Sequence, residues 1–225
     1  MKKILLLSAA MLNISLSGLA YENMAPVEKS TEMMEYLPNK DLNLTFVDNP
    51  LKFLEAIQLD YHFSEFDQGL KRVDEALAYV EPIYNENKDQ AIFPDQLSDA
   101  AAYKVYSGLL TLKGMMLDKK AISFAGANAD EDKEGIRAQA VENMRMAQEN
   151  LAKAVEVDGN SAEAHFQLGK YYRDASAGLS SEEAEKAFYT AAKLAKEQGN
   201  DKGSEQALNE LRTINPESPY IEELK

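Results

Sequence analysis

Cysteine is absent from the 225-residue chain, which excludes disulfides, thiolate metal sites and the lipidated cysteine of a lipoprotein. Histidine occurs only as His62 and His165, so a histidine-based metal site would need both together or help from carboxylates. Seven prolines and eleven glycines are too few for a low-complexity chain. Basic residues are outnumbered, with 24 Lys plus Arg against 38 Asp plus Glu and a formal charge of −14. That balance speaks against binding a nucleic-acid backbone, which needs a basic surface. The sequence also lacks G-x-S-x-G, a phosphate-cradling glycine loop and His-Glu-x-x-His. Nothing in this inventory argues for an enzyme, a cofactor or a metal centre.

The N-terminus carries the layout of a secretory signal peptide. Lys2 and Lys3 form a basic start, an apolar stretch runs from Ile4 to Leu16, and Ser17-Gly18-Leu19-Ala20 supplies small residues for cleavage after Ala20. Ser8, Asn13, Ser15 and Ser17 interrupt the apolar stretch, which disfavours a spanning helix of about 20 apolar residues. The expectation is residues 1–20 as a cleaved leader, a periplasmic mature chain and no stable membrane anchor after cleavage. Removal of Lys2 and Lys3 takes the formal charge from −14 to −16.

Residues 21–48 show no clear period, hold one short apolar run at Leu42–Val47, and read as a loosely ordered arm that docks back on the first helix. From Asn49-Pro50 onward the spacing is helical. Leu51, Leu54, Ile57 and Tyr61 share one face, and Leu70, Val73, Leu77, Val80 and Ile83 share the next. Ser64-Glu65-Phe66-Asp67 has the form of a capping box between them. Pro94-Asp95 starts a helix to about Leu117, and residues 119–132 read as a connection. Further helices are expected at Lys133–Val157, Ala162–Asp174, Ser181–Glu197, Ser204–Ile214 and Pro219–Leu224. The fold class is therefore all-α, about eight helices in a single region, 49–225, joined as antiparallel hairpins.

A repeat signal lies in residues 147–191. Ala147, Leu151 and Ala154 form a small-large-small stripe, followed by Leu168, Gly169 and Tyr172, and then Ala184, Phe188 and Ala191 repeat the stripe one helix pair later. The steric logic is that small residues let helices cross closely while large ones fill the adjoining holes. The pattern resembles the tetratricopeptide repeat (TPR), in which these nine positions pack the helix pairs. It departs from the family in having His165 at the usual tryptophan position and Gly159 at the turn proline. The stretch from Gly169 to Ala184 is also longer than the family spacing, and the match is interrupted between Gly114 and Ala147.

The resemblance implies a TPR-like solenoid whose first helices line a concave groove. It maps Glu163, Phe166, Lys170, Arg173 and Asp174 onto that groove, with Phe166, Lys170 and Arg173 expected on one exposed surface. It also implies an exported scaffold or adaptor for a protein or peptide partner in the bacterial envelope. A second reading is a small-molecule carrier, with Tyr103, Tyr106, Tyr171, Tyr172 and Phe188 lining an enclosed pocket. His165 reads as a packing residue. Asn128 and Asp130-Glu131-Asp132 read as acid before a helix start rather than a calcium loop. Met33, Met34, Met115, Met116, Met144 and Met146 read as gap-filling rather than copper-binding side chains.

Overall fold

The computed structural model describes residues 45–48, 50–92, 101–126, 133–175 and 181–224. Among them the chain is all-helical: α1 (Pro50–His62), α2 (Phe66–Glu86), α3 (Ala102–Gly126), α4 (Lys133–Val157), α5 (Ala162–Ala175), α6 (Glu182–Glu197), α7 (Asp201–Ile214) and α8 (Pro219–Glu223). An isolated antiparallel bridge joins Ala91 to Ala101. The leader, the arm as far as residue 44, the acidic run at 130–132 and residues 176–180 lie outside the described residues. The last residues of the arm do pack back on the helices. Phe46 is buried, with its ring edge-on to Phe53 of α1 and Tyr79 of α2 at 5.7 and 5.8 Å.

Packing runs mostly between consecutive helices; α3 and α4 share the largest interface, and α3 also touches α5. One core joins α1, α2 and α3 through Phe53, Ile57, Val73, Val80, Tyr106, Leu109 and Met116, and takes in Ala154 of α4 and Ala164 of α5. Another joins α5 to α8 through Phe166, Phe188, Ala191, Ala207, Leu211 and Ile221. Between them Leu117, Ala147, Leu151, Leu168 and Tyr171 form a bridging cluster. These buried positions recur at three and four along each helix, which is how the sequence specifies helices rather than strands.

Three sequence expectations are corrected. Residues 119–126 belong to α3 and are not a connection. Leu117 and Ala121 continue its buried stripe, and no breaker intervenes before Gly126. The expected start at Pro94 lies outside the described residues, and the described helix begins at Ala102, after the Ala91–Ala101 bridge. Ser64 does not cap α2. It closes α1 with φ 62°, its N–H bonding to the Tyr61 carbonyl at 3.2 Å while the Glu65 N–H bonds to the Asp60 carbonyl at 2.8 Å. That pair of bonds is a Schellman ending, with Ser64 where glycine is usual. Glu65 is the N-cap of α2 and makes no side-chain cap bond. At Gly199, with φ 73°, the same ending closes α6. Asn200 then caps α7 by accepting from the Gly203 N–H at 3.0 Å, so α7 starts at Asp201, ahead of the expected Ser204.

Candidate functional site

The expected groove on α5 divides in two. Phe166 is 1% exposed, and its ring sits edge-on to Phe188 at 5.7 Å, so its assignment to an exposed surface is corrected. The reason is local: Phe166 and Gly169 lie one turn apart on the face pressed against α6. A Cβ on Gly169 would stand 2.8 Å from Phe188 Cδ1, so the absent side chain is what lets the ring seat. Glu163 is also buried and accepts from Gln167 Nε2 at 2.7 Å; its assignment as an open contact is corrected with that of Phe166.

Lys170, Arg173 and Asp174 lie at the surface end of α5. Lys170 Nζ stands over the Phe166 ring, 5.8 Å from its centroid. Arg173 donates from Nε to Asp174 Oδ1 at 2.8 Å and from Nη1 to Glu210 of α7. Burial opposes the charge on Arg173, but the Asp174 bond and the charges of Glu210 and Asp174 outweigh it and hold its pKa above the usual value. Asp118 of α3 lies in the same field. Burial raises its carboxyl pKa and Asp174 raises it further, against the pull of Lys119, Lys170 and Arg173. Tyr171 is raised by burial and then by Asp118. An ion pair thus joins α5 to α7, and Asp118 of α3 feels the charges of Asp174, Lys170 and Arg173 on α5.

Beside this cluster, along α7, is an open recess of about 390 Å³ lined by Lys202, Glu205, Gln206, Asn209, Glu210 and Thr213. Its carboxylates are matched: Glu210 by Arg173, and Glu205 by Arg212 at 3.0 Å. Lys202 makes no ion pair among the described residues. Gln206 Oε1 is buried with no hydrogen-bond partner among them. Sequence reasoning missed Asp118, Glu210 and this α7 wall. The available signal was the polar stripe Lys202, Gln206, Asn209 and Thr213, opposite the buried stripe Gly203, Ala207, Leu208 and Leu211.

The nine repeat-packing positions lie in the interior, with Tyr172 half-buried and the other eight buried. A further close contact joins α3 to α4, where a Cβ on Gly114 would stand 2.6 Å from Leu151 Cγ. The aromatic residues considered for a carrier pocket are dispersed. Tyr106, Tyr171 and Phe188 belong to three different clusters, and Tyr172 packs on two of them. Tyr103 lies beneath Lys104 Nζ at 5.9 Å. Tyr106 donates to Glu81 at 2.5 Å, and Lys153 meets the same Glu81 oxygen at 3.1 Å, a tie between α2, α3 and α4.

His165 Nε2 lies 3.1 Å from the Gly159 carbonyl, and burial lowers its pKa. His62 is exposed beside Phe63, with ring centroids 5.2 Å apart. Among the described residues no three acidic or histidine side chains cluster to hold a metal ion, and no helix is long and apolar enough to cross a membrane. Met116 is buried against Gly69, while Met144 and Met146 pack on the bridging cluster. Comparison with family models, curated proteins and solved structures gives no match.

Proposed function

We propose that this chain is an exported TPR-like scaffold that binds a protein or peptide partner in the cell envelope through the surface shared by α3, α5 and α7. The repeated stripes support the architecture. Gly69, Val73 and Ala76 on α2 have the spacing of Ala147, Leu151 and Ala154 on α4 and of Ala184, Phe188 and Ala191 on α6, and all nine are buried. Two glycine-to-large contacts, Gly114 with Leu151 and Gly169 with Phe188, recur one helix pair apart. Helix pairs stacked in this way present alternate helices side by side as an extended binding surface.

The observation that carries the function is the reach of Arg173 from α5 to Glu210 on α7, with Asp118 of α3 in the same field and an open recess alongside. A charged rim around a recess suits a polypeptide partner. The dispersal of the candidate pocket aromatics over separate clusters favours this reading over an enclosed small-molecule site.

The test is crosslinked affinity capture of the full chain from its own cells. Wild type is compared with Lys170→Glu/Asp174→Lys, and with Lys186→Glu on exposed surface of α6 as control. A protein captured by wild type and by the control, but reduced about tenfold in the double variant, supports the proposal. Equal capture by all three moves the site elsewhere. Absence of any captured protein, with a small molecule retained in native mass spectrometry, overturns the scaffold reading.

A further inference from the structure

We infer that the projecting part of the α3–α4 hairpin is a self-association surface, which pairs about a two-fold axis with the same surface of a second copy of this chain through Ile122 and Val141. The hairpin outruns its neighbours. Lys120 reaches back to Asp67, in the first turn of α2, at 2.5 Å. Asp118 lies in the field of Asp174, one residue before α5 ends at Ala175. Beyond these points α3 runs on to Gly126, and α4 begins at Lys133. On α4, Met144 packs on the cluster that holds Leu168 and Tyr171 of α5. Ile122 follows Asp118 by four residues and Val141 precedes Met144 by three, so each stands one turn further out on the α5 side of the hairpin. Both are open there, Ile122 at 49% exposure and Val141 at 60%.

The apolar stripe of α4 continues through this region. Ile136, Ala140, Met144, Ala147, Leu151 and Ala154 recur at three and four. The last three are buried and the first three only half-buried. Tertiary packing is what sustains most helices in water, and a single copy gives little of it to 134–146. Charge identifies the occupant as a second copy. Residues 119–146 hold five basic and five acidic side chains, so the formal charge of −14 resides wholly outside them. On the face of Val141, Arg137 lies one turn away and Glu134 two, both exposed and of opposite sign. Two copies therefore approach here without the repulsion that their other surfaces exert, and a two-fold axis lets the face complement itself. The open side is two helices wide, about 20 Å, and about 15 Å long. Two such faces bury on the order of 1,200 Å² in total, at the lower end of specific interfaces.

The test is sedimentation velocity of the full chain, purified from its own cells, between about 1 and 200 μM. Wild type should pass from one copy to two across that range. Ile122→Glu and Val141→Lys should each weaken the association at least about tenfold. Val47→Lys, at an exposed valine outside the hairpin, should leave it unchanged. At about 1 μM Val141→Lys should melt with wild type, because the residue is exposed in a single copy. Amides of 134–145 exchange rapidly in the dilute sample and should gain about tenfold protection in the concentrated one, for wild type and Val47→Lys but not for the hairpin variants. A chain that stays single at the highest concentration overturns the inference, including one whose hairpin crosslinks to a different protein in its cells. Association that survives both hairpin substitutions overturns it too, since the contact then lies on another face. Equal loss in Val47→Lys has the same force, because it marks non-specific adhesion. The surface shared by α3, α5 and α7 is tested separately, by capture with Lys170→Glu/Asp174→Lys.

Discussion

Ser64 shows how one residue can mislead a reading of the chain. Its side chain and the acid at Asp67 look like a helix start, yet its backbone ends the previous helix in the left-handed region. A side chain there costs free energy that glycine does not incur. Ser64→Gly should therefore raise stability by about 0.5–1 kcal/mol, and an unchanged or lower melting temperature would contradict this account of the turn. The glycines inside helices differ among themselves. At Gly169 an added methyl meets the seated Phe188 ring, whereas at Gly69 it first meets the flexible end of Met116 at 2.6 Å. Both substitutions to alanine gain about 1 kcal/mol of helix propensity, but overpacking a fixed ring costs about 1–3. Gly169→Ala should melt below wild type and Gly69→Ala at or above it, as thermal unfolding of the pair would show. Asp60 is a buried carboxylate bonded to Arg72 at 2.5 Å, and burial raises its pKa despite that bond and charge. An acid with a raised native pKa binds its proton more tightly folded than unfolded. Its contribution therefore falls as pH rises from 3.8 toward the native value. Arg72→Ala should cost about 3 kcal/mol at neutral pH and extend that decline to higher pH. Asp60→Leu/Arg72→Met should recover most of the loss. Urea titrations at several pH values decide it.

At the scale of elements, α3 and α4 stand apart from the rest at 25 residues each, against 14 for α5 and for α7. With Gly114 set against Leu151, the end of α3 and the beginning of α4 run on together as an arm. Between Glu134 and Met146 no residue of α4 is buried, whereas Ala147, Leu151 and Ala154 are. Stability should follow that division. Amides of 134–145 should exchange about 100-fold faster than those of 147–157, and uniform protection along α4 in hydrogen-exchange mass spectrometry would refute this. Val141, 60% exposed, should tolerate Val141→Lys within about 0.5 kcal/mol. Leu151→Ala on the same helix should cost about 3 kcal/mol in denaturant melts. The arm also explains where sequence reading succeeded and failed. Periodic stripes at Val73, Val80 and Leu109 made the helices legible, and the stripe at 147–191 identified which small and large residues meet. The length of α3 was hidden because its last turns bury little beyond Leu117 and Ala121, so periodicity fades before the helix does. On α5 the register did carry the signal that Phe166 faces α6, one turn from the packing position Gly169, but the groove mapping implied by the resemblance set it aside. Glu210 and Gln206 join Arg173 and the recess only through folding that brings α7 beside α5.

For the molecule as a whole, two cores meet at Leu117, Ala147, Leu151, Leu168 and Tyr171. Cooperativity between the halves runs through that cluster and through Ala164 of α5, which packs in the first core. Leu168→Ala should lower the denaturant slope and separate the α1–α4 and α5–α8 transitions when each half is followed by its own hydrogen-exchange peptides. A single unbroken transition would show that the halves are coupled by other routes. Chain-neighbour packing also has a mechanical side. A tensile load applied at the two ends passes through the helix pairs in series. Helices at the ends can peel away at small force, one pair after another, and reseat when tension is released. Under load, nearest-neighbour packing of this kind gives way helix pair by helix pair rather than in a single break.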